Sequence, residues 1–172
     1  MEPKQLSAPI KGLIISLILI VVGLIIYFAG LTQNKGIQFS QYVVLGGGII
    51  WACTSYAKGL NGNVTFGNTF AHGFKVTAAI TAIIAVYTFV AFKFIMPDVI
   101  DLTIEEARKG MTEKGAMPGE QIEQAIEMTR KFFIPFAIAG VIVMFLIFGV
   151  IFSLIGAAVA KKNPTQTPFQ NQ

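Results

Sequence analysis

Few residues in this chain have the types and spacing that chemistry needs. His72 is the sole histidine, set in Asn68-Thr69-Phe70-Ala71-His72-Gly73-Phe74. A protein-bound metal takes three or four convergent ligands, and no carboxylate or thiol stands near this imidazole in sequence. It is read as a surface or interfacial histidine. Cys53, the single cysteine, lies inside an apolar run, cannot close an intrachain disulfide and has no neighbouring cation in sequence to activate it. Buried packing is its expected role. No serine has a nucleophile-elbow context, and neither H-E-x-x-H nor a phosphate-cradling glycine loop occurs. Asp98, Asp101 and Glu105, and again Glu120, Glu123 and Glu127, follow i, i+3, i+7 spacing. Such stripes could collect a hard cation, but calcium loops use irregular backbone and closer ligand spacing, so both are read as solvated helix faces. Glu105–Lys109 and Glu127–Lys131 can pair at i, i+4 for roughly 0.2–0.5 kcal/mol each. The sequence therefore assigns no catalytic residue, no cofactor site and no metal site, and the chain is expected not to be an enzyme.

Ionisable groups inside a membrane span are functional candidates by default, and the apolar runs of this chain contain no Asp or Glu. Lys11, Lys75 and Lys93 sit near run ends, where long side chains can reach the headgroups; they are read as snorkelling. Ser16, Thr54, Ser55, Thr77, Thr81 and Thr88 are hydroxyls within the runs that could supply part of a polar lining. Thr77, Thr81 and Thr88 share one helical face and could line a polar path, although threonines also bond back to their own helix. Small residues carry the clearest packing pattern. Gly149, Ser153 and Ala157 are spaced by four, Gly156 and Ala160 make a second register, and Ala78 and Ala82 repeat the spacing. Small-x-x-x-small faces let helices approach closely in lipid, so these residues predict contacts between the third and fourth spans or between subunits. Gly46, Gly47 and Gly48, flanked by apolar residues, are also read as a close-packing face.

The elements that must hold these residues are fixed by composition. The chain has 172 residues, 54% hydrophobic and only 13% charged, with a mean hydropathy of +0.68. That is about half the usual share of charge in a soluble domain, roughly 25%, and it excludes both a disordered tail and an ordinary soluble enzyme. Apolar runs cover about residues 10–31, 39–57, 74–96 and 132–160. About 20 apolar residues suffice to cross a bilayer, so an all-α bundle of four transmembrane helices is predicted. The second run is the weakest, because its three glycines dilute it. The first is too long for a typical signal-peptide core of about 7–15 residues and is expected to be a retained helix. Residues 97–131 differ in kind, holding eight of the nine acids. They predict an amphipathic surface hairpin between spans three and four. Thr103 with Glu106 resembles a capping box, Gly115 a stop and Pro118 a second start. Ile122, Ala125, Ile126, Thr129 and Phe133 share one face of the second arm, which is expected to run into the fourth span. Residues 1–164 are thus one membrane domain and 165–172 a disordered tail.

The formal net charge of +4 does not point to nucleic acid, because the bases are scattered singly or in pairs at run ends without interleaved exposed aromatics. They point instead to membrane orientation. With four spans, Lys4, Lys11, Lys58, Lys75, Lys161 and Lys162 share a side with Glu2, facing Lys35, Lys93, Arg108, Lys109, Lys114, Arg130 and Lys131 on the other. The totals nearly tie; the weight given to short flanks and to the first helix places both termini in the cytoplasm.

Three stretches resemble a family of bacterial membrane proteins catalogued as domain-of-unknown-function family 4199. They are Thr65-Phe66-Gly67-Asn68-Thr69-Phe70 leading through Gly73-Phe74-Lys75, Gln121-Ile122-Glu123-Gln124-Ala125-Ile126-Glu127-Met128 before Lys131-Phe132-Phe133, and Ser153-Leu154-Ile155-Gly156-Ala157-Ala158 ending at Lys161-Lys162-Asn163-Pro164. The resemblance spans about residues 8–164; Pro118-Gly119 departs from the polar N-cap more usual there. It implies a four-span helical protein of the inner membrane and brings no activity and no catalytic residues. The expected function is that of an accessory or assembly element acting through helix packing and an acidic periplasmic hairpin. Its expected partners are membrane lipids and either further copies of itself or another membrane protein, without nucleic acid. The alternative is a channel or transporter for a small solute.

Overall fold

The computed structural model describes residues 6–32, 34–113 and 118–162. It is all-helical, with no strand among the described residues. Five α-helices follow in order: α1 (Ala8–Phe28), α2 (Lys35–Gly59), α3 (Phe66–Val90), α4 (Asp98–Glu113) and α5 (Gly119–Val159). A π-helical turn, Ala91–Ile95, closes α3, and the Met96 N–H donates back to the Ala91 carbonyl.

Local signals set the helix ends. Ser7 precedes α1, whose first turn carries Pro9, a residue pre-set for that position. Gly30 ends the helix at φ +68°, and the Leu31 N–H donates to the Ile26 carbonyl at 3.0 Å, the wider bond of a Schellman stop. The Asn34 side chain accepts from the Gly36 and Ile37 N–H groups and caps α2. Thr65 caps α3 by accepting from the Asn68 N–H at 3.1 Å. That cap starts α3 two turns before the apolar run at Phe74, since Asn68 and His72 dilute hydropathy without breaking a helix.

One sequence expectation is corrected here. Helix α4 begins at Asp98, so Thr103 is not its cap; it lies inside the helix and its hydroxyl donates to the Val99 carbonyl at 2.8 Å. Among the described residues three helices are, by length and composition, apolar enough to cross a membrane: Ala8–Phe28, Phe66–Ile95 and Gly119–Val159. Helix α2 has the length, at 25 residues, but Gln38, Gln41, Thr54, Ser55 and its five glycines lower its hydropathy. Helix α5 starts directly after Pro118 and continues without a break through Pro135 to Val159, so the second arm of the hairpin and the last apolar run are one helix. Gly115 and the tail 165–172 lie outside the described residues.

Packing divides the chain into two compact units, one of residues up to 83 with those from 144 onward, the other of 84–143. In the first, α1, α2, the start of α3 and the end of α5 meet through small residues. A side chain at Gly12 would strike Ala79, one at Gly48 would crowd Ile15, and one at Gly46 would enter the ring of Phe152. In the second, Ile104 of α4 and Ile122 and Ile126 of α5 form a buried cluster flanked by Ile100, Ala107 and Met111. Two ion pairs bridge these arms. The Arg108 guanidinium grips both oxygens of Glu123, and Arg130 reaches Asp101 at 2.8 Å. Lys109 lies 3.6 Å from Glu105, one helical turn away, whereas Lys131 lies over the ring of Phe132. Ala125 and Phe133 are half-buried beside the cluster, and Thr129 is exposed.

Candidate functional site

The first unit has almost no acid: Glu2 is the one Asp or Glu of the chain outside 98–127. Yet it buries a cation. Lys11, in the first turns of α1, is 2% exposed, which replaces the snorkelling expected of it. The rotation of α1 turns its side chain onto the C-terminal turns of α2. Its ammonium donates to the Ala52 carbonyl at 3.2 Å and to Ser55 Oγ at 2.7 Å, and lies 3.4 Å from His72 Nε2 on α3. An ammonium has three hydrogens and no lone pair, so these three neutral acceptors use its full capacity. Ser55 Oγ in turn donates a hydrogen bond to the Ala52 carbonyl at 3.1 Å. The indole of Trp51 stands 5.9 Å from the same nitrogen, within cation–π range.

His72 is the hinge of this cluster. It is half-buried, and Tyr56 stacks on it at 4.2 Å with an interplanar angle of 11°. An ammonium can only donate, so this contact suits the His72 tautomer that carries its proton on Nδ1. His72 also lines a cleft of about 450 Å³, together with Ser7, Tyr56, Asn68 and Lys75. Lys75 is exposed, in keeping with its expected reach toward solvent or headgroups.

The residues singled out for packing fall into two groups. Gly149, Ser153, Gly156 and Ala157 on α5, and Ala160 just after it, are all buried. A Cβ at Gly149 would overlap Thr77, one at Gly73 would meet Cys53 Sγ at 2.6 Å and Ser153 Oγ at 2.8 Å, and one at Gly156 would meet Cys53 at 2.9 Å. Cys53 is fully buried in this contact, its thiol 3.7 Å from the Thr69 carbonyl. Ala78 and Ala82 are exposed; the interior face of α3 is Val76, Thr77, Ile80, Thr81 and Ile84.

The hydroxyls divide as well. Ser16 donates to the Gly12 carbonyl at 2.8 Å, Thr54 to the Ile50 carbonyl at 3.0 Å and Thr88 to the Ile84 carbonyl at 2.8 Å. Thr77, Thr81 and Ser153 are buried with no hydrogen-bond partner among the described residues. Thr77 sits in the space that Gly149 leaves. Among the described residues no three His, Cys, Asp or Glu side chains converge as a metal site.

The Lys11 centre was not visible in the sequence as a site. The available signal was indirect: a lysine at a span entrance, a lone histidine and a half-chain without acids.

Comparison with known proteins identifies the chain by family alone. It belongs to the family described as Protein of unknown function (DUF4199), whose family model matches residues 11–162, most of its length. No curated protein matches, and no solved structure does.

Proposed function

We propose that this member of the DUF4199 family is a non-enzymatic integral protein of a bacterial inner membrane, crossing it four times, that serves as an accessory or assembly element. The observation that carries the reading is the hairpin. Helix α4 and the start of α5 enclose their own isoleucine core and are cross-bridged by Arg108–Glu123 and Arg130–Asp101. A pre-organised pair of helices presents its remaining acids at low ordering cost to a partner. Four crossings rest on the outward stripe of α2. Phe39, Val43, Gly47 and Trp51 are its exposed positions at successive turns, so its apolar face suits lipid. Ser55 and Thr54 meanwhile bond within the protein. Basic flanks then favour cytoplasmic termini and a periplasmic hairpin. Lipids and a second copy or another membrane protein are the partners, with no nucleic acid; the outward Ala78 and Ala82 ridge suits close contact with a second copy.

Purification from native membranes in mild detergent, with intact-complex mass and partner identification, tests this. A stoichiometric partner or homo-oligomer lost on Glu106→Lys with Glu120→Lys is expected. Recovery of bare monomer and lipid from both would defeat the reading.

A second reading, a path for a small solute, is favoured by the buried and unpartnered hydroxyls of Thr77 and Thr81. Liposomes holding the purified protein would have to admit ions or small solutes above empty liposomes, and Thr77→Val would have to change that flux.

A further inference from the structure

We infer that the cleft beside His72 is a binding site for an anionic phosphate group, carried by a lipid headgroup or by a soluble phosphate. This goes beyond the assembly reading and does not rest on it. The charge balance comes first. Lys11 is buried without any carboxylate among the described residues of its unit, and all its polar contacts are neutral. A buried charge is costly unless something offsets it, and His72, which the Lys11 ammonium touches, also lines the cleft.

The cleft wall sets polar side chains among apolar neighbours such as Pro9 and Ala71. Lys75, His72 and Asn68 come from α3 and Ser7 from the start of α1, and the Ser7 side chain makes no capping bond to its own helix. The first turn of α1 also lines the cleft, which brings the positive end of that helix dipole to it. Donors converging from two helices suit a tetrahedral oxyanion with several acceptor oxygens. A volume of about 450 Å³ has room for a headgroup as well as a bare ion. The position, at the entrance of α1, is the depth at which spans meet the headgroup layer.

Trp51 is the only tryptophan of the chain and stands beside Lys11, so its fluorescence reports on this centre. The full chain in neutral detergent would be titrated with dioleoylphosphatidylglycerol, with dioleoylphosphatidylcholine and, separately, with inorganic phosphate. A saturable response to phosphatidylglycerol but not to phosphatidylcholine or phosphate identifies a lipid headgroup as the source; saturation by inorganic phosphate identifies a soluble one. In either case Lys75→Gln, at an exposed position that leaves the packing intact, should weaken the response about tenfold. His72→Gln gives a second variant, and native mass spectrometry of retained lipid a second readout. Equal responses to both lipids with none to phosphate, or an affinity unchanged in both variants, would overturn the site.

Discussion

The Lys11 centre and the α4–α5 hairpin handle charge in opposite ways. The hairpin holds eight of the nine acids and pairs some of them in the open, with Arg108 and Glu123 44% and 55% exposed. The bundle holds one buried ammonium, caged by a carbonyl, a hydroxyl, an imidazole and an indole. Exposed pairs contribute about 0–1 kcal/mol and are screened by salt. They fix how two helices register more than how tightly they hold; the isoleucines between them do the holding. A buried cation without a counter-charge does not contribute to folding in proportion to its hydrogen bonds, because desolvation opposes them. The contrast places stability in the small-residue contacts and the isoleucine cluster.

That division can be broken by substitution. The largest loss is expected at Gly149→Leu, which drives a side chain into Thr77 on the facing helix. The bundle should lose about 3 kcal/mol or more, read as a collapse of the thermal midpoint in detergent. Ser153→Leu, against Gly73, should act in the same direction and weaken helix association. Next comes Ile126→Ala in the hairpin, expected to cost about 2–4 kcal/mol locally and to show as faster proteolysis between α4 and α5. Lys11→Met keeps the side-chain volume and removes the buried charge. It should leave the midpoint unchanged or raise it, by about 1 kcal/mol, while abolishing the Trp51 response to anions; a large destabilisation would make Lys11 a structural residue. The smallest effect is Arg108→Ala, at most about 1 kcal/mol and vanishing at high salt. A larger or salt-independent cost would mean the hairpin depends on its ion pairs.

The hairpin was legible in the sequence because its signals are local. Acids early in an arm, bases late, and Ile122 and Ile126 at helical spacing all fall within a few turns. The family resemblance was legible for the same reason, and the matched residues 11–162 bear it out. The Lys11 centre was not legible, because its partners lie 41, 44 and 61 residues away. A lysine at a span entrance also looks the same whether it reaches for headgroups or turns inward. Helix rotation posed the same problem on α3. Ala78 and Ala82 carry a packing pattern, yet the adjacent Thr77 and Thr81 face the interior, since Gly149 on the neighbouring helix leaves room for Thr77. Helix α2 was the hardest to read. Hydropathy averages over a helix, whereas Ser40, Thr54 and Ser55 bond to carbonyls of their own helix and Phe39, Val43 and Trp51 face outward.

Whether α2 crosses the membrane decides the whole topology, and impermeant maleimide labelling of intact cells tests it most directly. In a Cys53→Ala background, cysteines are placed one at a time by Leu31→Cys before α2 and Asn63→Cys after it. Labelling of the first in intact cells, and of the second only after permeabilisation, is the predicted result. The same accessibility for both would put α2 on one side of the membrane and contradict the four-span account.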